Sequence, residues 1–208
     1  SRMYLNDGSA SFVDIAPTCG MDDAGQGRGV VHGDFDGDGD QEIVLINSRE
    51  KHAYYRNDLS GPGTNAITLD FDTSSVPGLA PNGFGTRVVF ESSSHSQLRY
   101  LDGGSNYLSQ SELSVHAGIG SDASADIEIL WANGDVTNLV GVLPGRYTIT
   151  ARSCVADLTG DGNLNFFDIS SFLTLYLSQH PQADLSGDGQ FNFFDVSAFL
   201  VQFQAGCP

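Results

Sequence analysis

The sequence predicts a mainly β protein that ends in a small α-helical domain, and three observations carry this expectation. Short alternating apolar runs recur between Gly, Asn and Ser turns over residues 64–152. A twelve-residue acidic motif occurs twice in residues 153–208, and an apolar stripe at helical spacing follows each copy. A further acidic run separates two apolar runs in residues 1–63. We therefore expect a β-hairpin repeat over 1–63, a β-sandwich over 64–152 and a loop–helix pair over 153–208.

The first predicted domain has the spacing of a propeller blade. Tyr4-Leu5-Asn6-Asp7 recurs as Tyr55-Arg56-Asn57-Asp58 after about fifty residues, a period typical of propellers. A closed propeller needs roughly four or more blades, and only about one period is present. We expect a partial propeller or a unit that packs against another element.

Seven short strands separated by turn residues favour a β-sandwich in the second domain. Asn133-Gly134 is a strong two-residue hairpin signal between two of them. The expected strands are Ile67 to Phe71, Thr86 to Glu91, Gln97 to Leu101, Leu113 to His116, Asp126 to Trp131, Val136 to Val140 and Tyr147 to Thr150.

The third domain is an internal duplication in which the motif from Asp157 to Asp168 recurs from Asp184 to Asp195. After each copy, apolar residues at i, i+3, i+4 and i+7 predict a helix with one apolar face. These residues are Ile169, Phe172, Leu173 and Tyr176, then Val196, Phe199, Leu200 and Phe203.

The charge distribution excludes some partners and indicates a cation. The net charge is −17, from 26 acids against 9 bases, which disfavours nucleic acid and anionic membrane surfaces. No apolar run reaches the roughly 18 residues that a spanning helix requires, so we expect no membrane insertion. From residue 153 onward there are six acids and no Lys or Arg, and every acid falls inside the duplicated motif.

The duplicated motif has the donor spacing of a calcium loop. A twelve-residue loop wraps Ca²⁺ with oxygens at about positions 1, 3, 5, 7, 9 and 12, and a Gly at 6 makes the turn. Position 3 is a hydroxyl and position 12 an Asp, which lowers the expected affinity. The alternative is an Asp/Gly turn without metal. The predicted ligands are Asp157, Thr159, Asp161, Asn163, Asn165 and Asp168, and then Asp184, Ser186, Asp188, Gln190, Asn192 and Asp195.

The acidic run in the first domain predicts a third calcium ion, in a nine-residue loop of a β-hairpin. Clustered carboxylates repel one another unless a cation neutralises them, and Gly39 suits the turn. The alternative is a solvated acidic turn. The predicted ligands are Asp34, Asp36, Asp38, Asp40 by its carbonyl, and Glu42.

Two cysteines, Cys154 and Cys207, bracket the third domain and predict a disulfide in an oxidising compartment. Three free thiols are the alternative, and the role of Cys19 is open. On a helical wheel Phe166 and Phe193 lie beside the apolar stripes, whereas Phe167 and Phe194 point away. We expect the first pair in the core and the second pair at a partner surface, or else tucked under a neighbouring element.

Several of these motifs resemble known families. The two D-x-[ST]-G-D-G-x-x-N-F-F-D loops and the terminal Gly-Cys resemble the dockerin family, which implies a cohesin-binding anchoring module on a bacterial surface. Residues 29–47 are similar to FG-GAP/VCBS repeats, which are propeller blades with a calcium hairpin. Residues 82–150 resemble the ASPIC/UnbV domain through "GFGTRVVF", "GGSNYLSQSELSVHAGIG" and "IEILWANGDV". The dockerin resemblance implies that the positions of Phe167 and Phe194 face cohesin.

We expect a secreted, calcium-dependent adhesion or anchoring protein whose partner is a cohesin-like domain or another copy of the chain. The alternative is a structural subunit of an extracellular fibre or surface assembly. We do not expect an enzyme, because Glu112 and His116 are the only suggestive acid–base pair and a polar pair on a strand explains them more simply.

Overall fold

The structure is a computed structural model that describes residues 1–59, 61–104, 106–152 and 154–206. The chain forms two compact units. The first comprises 1–59 and 103–112, and the second comprises 60–102 and 113–208. This division differs from the three predicted domains, because segment 103–112 groups with the N-terminal residues and the helices group with the predicted sandwich. Neither α-helix in the described ranges is long and apolar enough to cross a membrane.

The first unit contains two small antiparallel sheets. Strand β1 (Tyr4–Asn6) pairs with β2 (Phe12–Asp14). Strands β3 (Gly27–Gly33), β4 (Glu42–Asn47) and β5 (Ala53–Tyr55) form the second sheet in that order. Gly33 lies opposite Glu42 in the β3–β4 pair, so the predicted acidic run is the loop of this hairpin. A propeller stays a prediction.

The described residues of the second unit form seven strands, and each overlaps one of the predicted runs. One sheet has the order β11-β10-β7-β8 and is antiparallel throughout. The other has the order β12-β6-β9, in which β12 runs parallel to β6 and β9 antiparallel. The mainly β class is confirmed. The strands are β6 (Asn65–Asp72), β7 (Arg87–Ser92), β8 (Ser96–Tyr100), β9 (Val115–Gly120), β10 (Ala125–Leu130), β11 (Val136–Val142) and β12 (Gly145–Thr150).

The two sheets share one hydrophobic core, as expected for a sandwich. Alternate residues point inward because successive side chains of a strand face opposite sides. Ile67, Leu69 and Phe71 of β6 are buried in the same cluster as Ile127 and Ile129 of β10.

Two helices follow the sheets, at the places where the stripes predict them. Helix α1 spans Phe166–Leu177 and α2 spans Phe193–Ala205. Each begins with a capping box, because an Asn at the N-cap and an Asp three residues later exchange hydrogen bonds with the backbone. Phe172 and Phe199 stack with their ring centroids 4.4 Å apart, so the helices meet at the middle of each apolar stripe.

The helical-wheel prediction was wrong at the edges of the stripes. Phe166 and Phe193, expected in the core, are exposed, and so are Leu173 and Leu200. The second core consists of few buried side chains centred on Phe172 and Phe199. A wheel gives the direction of a side chain, but it does not give how far along the helix the core extends.

Candidate metal-binding loops

The hairpin loop between β3 and β4, which we call the acidic hairpin loop (residues 34–42), brings its carboxylates together. Oxygens of Asp34, Asp36 and Glu42 lie within 4.8 Å of one another, and so do oxygens of Asp38, Asp40 and Glu42. Among the described residues, these are the triads of His, Cys, Asp and Glu at that distance. Asp40 was predicted to contribute its carbonyl, whereas the structure places its side chain in the cluster.

Glu42 is the buried centre of this cluster. Its relative exposure is 0%, and Oε2 accepts a hydrogen bond of 2.8 Å from the Phe35 N–H. Glu42 Oε1 and Asp40 Oδ1 are both buried without a hydrogen-bond partner. A buried acceptor without a donor is costly, and a cation bound between these oxygens removes that cost.

The electrostatics of the acidic hairpin loop agree with this geometry. Burial, together with the nearby Asp38 and Glu42, raises the pKa of Asp40 from 3.8 to about 6. Burial and the charges of Asp38 and Glu42 also raise the pKa of Asp36. Both carboxylates are therefore held where their charged form needs a positive partner. The donor set is all oxygen, which suits Ca²⁺.

The first C-terminal loop, residues 157–168 (loop 1), is organised by its own backbone. Asp157 Oδ1 accepts from the Gly160 N–H at 2.7 Å and Oδ2 from the Gly162 N–H at 2.8 Å. Asp168 Oδ1 accepts from the Thr159 N–H at 3.0 Å and Oδ2 from the Asn165 N–H at 2.8 Å. The first and last predicted ligands thus close the loop with main-chain hydrogen bonds.

The second C-terminal loop, residues 184–195 (loop 2), repeats this network. Asp184 accepts from the N–H groups of Gly187 and Gly189, each at 2.8 Å. Asp195 accepts from the N–H groups of Ser186 at 3.0 Å and Asn192 at 2.8 Å. The middle acids, Asp161 and Asp188, each accept from the N–H two residues on at 2.8 Å.

Position 9 of each loop has a structural role. Asn165 Oδ1 accepts from the Phe167 N–H at 2.8 Å, and Asn192 Oδ1 accepts from the Phe194 N–H at 2.7 Å. Both residues are helix N-caps. Their metal roles stay predictions, as do those of Asn163 and Gln190, whose N–H groups bond to Asp161 and Asp188.

The pKa values of the closing acids differ in direction from those of the acidic hairpin loop. Burial raises the pKa of Asp168, but hydrogen bonds from Asn165 and Thr159 outweigh it, so the pKa is lowered. The same balance lowers the pKa of Asp195. These carboxylates are stable as anions because N–H groups already face them.

Both C-terminal loops lie against other parts of the second unit, loop 1 against the turn that follows β6 and loop 2 against β11. A Cβ at Gly160 of loop 1 would lie 2.4 Å from Ser75 Cβ, and one at Gly189 of loop 2 would lie 3.5 Å from Val140 Cγ1. These contacts were not predicted from the sequence, in which position 6 (Gly189 in loop 2) was assigned a turn role and Gly160, at position 4 of loop 1, was assigned none.

Two residues next to the loops were also missed. The Gln182 amide donates to the Thr150 carbonyl at 2.8 Å and accepts from the Thr150 N–H at 3.2 Å. Burial lowers the pKa of Arg152 to about 10, while the charges of Asp157 and Asp168 oppose that shift. The partly buried guanidinium of Arg152 therefore lies close enough to loop 1 to offset part of its negative charge.

The predicted partner surface is exposed. The relative exposures are 67% for Phe167, 66% for Phe194, 73% for Phe166 and 74% for Phe193. Two adjacent exposed Phe residues thus begin each helix, twice the number that the wheel predicted. Binding of a partner there stays a prediction.

The cysteines agree in part with the predicted disulfide. Cys154 is disulfide-bonded. Cys207, its predicted partner, lies outside the described residues, so the pairing stays a prediction. Cys19 is a free thiol at the surface.

Comparison with known proteins supports one of the three resemblances. Residues 77–153 match the family model described as ASPIC and UnbV. The chain is 28% identical to human cartilage acidic protein 1 over 131 residues, which are 63% of this chain and 20% of that protein. It is 30% identical to the Xenopus tropicalis cartilage acidic protein 1 over 137 residues, which are 64% of this chain and 19% of that protein.

The chain therefore spans about a fifth of the length of the curated relatives that it matches. The ASPIC/UnbV resemblance of residues 82–150 is confirmed, with matched bounds slightly wider than predicted. The FG-GAP and dockerin resemblances stay predictions.

Proposed function

We propose that this chain is an extracellular calcium-binding attachment protein without enzymatic activity. The observation that carries the proposal is the buried Glu42, which lies among converging carboxylates with one oxygen that has no hydrogen-bond partner. The oxygen donors of loops 1 and 2 add two further sites of the same chemistry. About three Ca²⁺ ions are expected, one in residues 34–42, one in 157–168 and one in 184–195.

In this proposal calcium has a structural role. When bound, it supplies positive charge to groups of carboxylates that otherwise repel one another. The residues of loops 1 and 2 then fix the start of each helix, because their last ligands, Asp168 and Asp195, also complete the capping boxes. The exposed Phe pairs at the helix starts follow directly, so calcium holds them in place for a partner.

The partner that we propose is a protein, either a cohesin-like domain or another copy of this chain. Aromatic side chains that are exposed in the free protein are frequent anchors of interfaces. The net charge of −17 argues against nucleic acid. An extracellular location is supported by the disulfide at Cys154 and by the similarity to proteins named for cartilage. A bacterial cell surface rests on the dockerin resemblance alone.

A structural subunit of an extracellular assembly is the second candidate, and a second exposed apolar surface favours it. In the first unit, Tyr4, Leu5, Phe12 and Val13 of the β1–β2 hairpin are all exposed. A repeating assembly needs two contact surfaces on each copy, whereas a simple anchor needs one.

Metal analysis and calorimetry test the calcium part. We expect about three tightly bound Ca²⁺ ions per chain, and Asp161→Ala and Asp188→Ala should each remove one. Asp22→Ala, at an exposed carboxylate outside the loops, is the control. Fewer than two ions would overturn the proposal.

The partner part is tested with the double variant Phe167→Ser and Phe194→Ser. We expect loss of calcium-dependent binding to cohesin domains, or of calcium-dependent self-association in light scattering, with little change in thermal stability. Tyr100→Ser, an exposed aromatic on β8, is the control. If the double variant keeps its binding and loses thermal stability, the rings belong to the core and the partner surface is wrong.

A further inference from the structure

Residues 109–112 run along the outer edge of β3. This strand lies at the edge of its sheet, so the backbone groups that face away from β4 need other partners. The Val30 carbonyl accepts from Ser109 Oγ at 3.0 Å, and the His32 N–H donates to Ser111 Oγ at 3.3 Å. The His32 carbonyl accepts from the Glu112 N–H at 3.0 Å. A segment that lies 79 residues later in the sequence therefore covers this edge.

Two glycines of β3 make room for the segment. A Cβ at Gly29 would lie 3.2 Å from Ser109 Cβ, and a Cβ at Gly33 would lie 2.9 Å from Glu112 Cβ. Glycine within a strand often marks a close approach of another chain segment. The two glycines of β3 therefore leave the space in which residues 109–112 pack.

Glu112 is the last residue of this segment, and it lies next to the acidic hairpin loop. Its Oε2 accepts from the Asp34 N–H at 3.1 Å. Asp34 is the first residue of the loop, and its carboxylate converges with those of Asp36 and Glu42. The main chain of a candidate ligand is thus held by an acid that lies outside the loop.

We infer that Glu112 is a positioning residue of the cation site in the acidic hairpin loop, and that a bound divalent cation such as Ca²⁺ keeps residues 109–112 seated on β3. The inference rests on the proposed function in that the loop binds a cation, for which buried Glu42 is the independent evidence. Without the cation, Glu112 faces five other acids and is repelled. With it, the same charge is attracted to the loop.

Calcium affinity is the first test, measured by calorimetry in the full chain with Asp161→Ala and Asp188→Ala. Glu112→Gln keeps an oxygen that can accept from the Asp34 N–H but loses the charge, and we expect calcium binding about tenfold weaker. Glu91→Gln, the same change at an exposed acid of β7, should bind like the parent. If both variants bind like the parent, Glu112 has no role in the site.

Hydrogen exchange is the second test, and it measures the protection of the backbone amides of the segment. In the parent, amides of residues 106–112 should exchange more slowly with Ca²⁺ than with EDTA. Glu112→Ala should abolish this difference. Exchange that does not depend on calcium overturns the inference while calcium binding stands. If the parent in this background binds no calcium, the hairpin site of the proposed function fails together with the inference.

Discussion

The acidic hairpin loop and the two C-terminal loops are built from the same residue types, but main-chain hydrogen bonds satisfy their carboxylates to different extents. In loop 1, all four oxygens of Asp157 and Asp168 accept main-chain hydrogen bonds. In the acidic hairpin loop, Asp40 and Glu42 each have a buried oxygen with no hydrogen-bond partner. The first arrangement stabilises the anions through main-chain donors, and the second leaves two buried carboxylate oxygens without a donor.

The secondary structure that follows each loop explains the difference. A helix begins directly after loops 1 and 2, and a helix N-terminus leaves several N–H groups free to bond a carboxylate. The acidic hairpin loop joins two strands whose N–H groups are largely used in the β3–β4 ladder. Donor spacing in a sequence therefore locates a candidate site, whereas the element that follows sets how far the site depends on its metal.

The largest effect is expected for Gly160→Ala, which tests whether loop 1 depends on its contact with Ser75 in the turn after β6. The residue has φ +71° and a new Cβ would lie 2.4 Å from Ser75 Cβ. Left-handed strain of about 1 kcal/mol adds to an overpacking cost of about 1–3 kcal/mol. Thermal unfolding of the second unit measures the sum.

Loop 2 supplies the matched control. Gly187 has φ +70°, the same loop position and no atom within 4 Å of its Cβ, so Gly187→Ala should show the strain alone. Adding Ser75→Gly to Gly160→Ala should restore most of the difference in melting temperature between Gly160→Ala and Gly187→Ala. Equal losses of thermal stability for Gly160→Ala and Gly187→Ala would mean that crowding against Ser75 contributes nothing to the loss.

The second prediction concerns Asp168→Asn in EDTA. The Asn side chain keeps one acceptor oxygen, so it can accept from the Asn165 N–H or from the Thr159 N–H but not from both, and its NH₂ group faces the other donor. We expect a loss of about 1–3 kcal/mol in unfolding free energy without calcium. Asp161→Asn, at an exposed acid of the same loop, should cost less than half as much, and a loss as large would show that charge rather than capping matters.

Glu42→Gln is expected to have the opposite effect on the unfolding free energy in EDTA. The Gln oxygen can accept from the Phe35 N–H, and its NH₂ can donate to Asp40 Oδ1, so the repulsion disappears. We expect unchanged stability or a gain of up to about 1 kcal/mol without calcium, and loss of the calcium-induced stabilisation of the first unit. Denaturant unfolding with and without calcium measures both. A loss in EDTA comparable to that of Asp168→Asn would refute the contrast between the loops.

Patterns that are local in sequence predicted most of the fold. The seven strands of the second unit follow from alternation and turn residues, and both helices follow from stripes such as Phe172 with Tyr176. The calcium-loop spacing located all three acidic loops. These features depend on neighbours within about ten residues, where periodicity is informative.

The remaining features depend on contacts between distant residues. Glu112 was noticed only as a possible partner of His116, because nothing in its neighbourhood indicates that it meets Asp34. Gly29 and Gly33 in a strand were a usable signal, since glycine there indicates a close approach. The exposure of Phe166 was unpredictable for a related reason, because it depends on which distant residues pack over the start of α1.

The smallest predicted effect concerns pH. It tests whether the stability of the second unit depends on pH through His180, independently of calcium. Burial, and then the charge of Arg152, lowers the pKa of His180 below its ordinary 6.5. Its Nδ1 accepts from the Gln182 N–H at 3.3 Å, and its ring packs edge-on against Tyr147. Because the folded state disfavours the protonated ring, the unfolded state binds more protons below pH 6.5, and stability falls as the pH drops through that value.

In saturating calcium, the second unit should therefore melt at a lower temperature at pH 5.5 than at pH 7.5. His180→Gln, which removes the titrating group, should flatten this dependence, whereas His95→Gln at the surface should leave it unchanged. An equally steep pH dependence in His180→Gln would assign the effect to other groups.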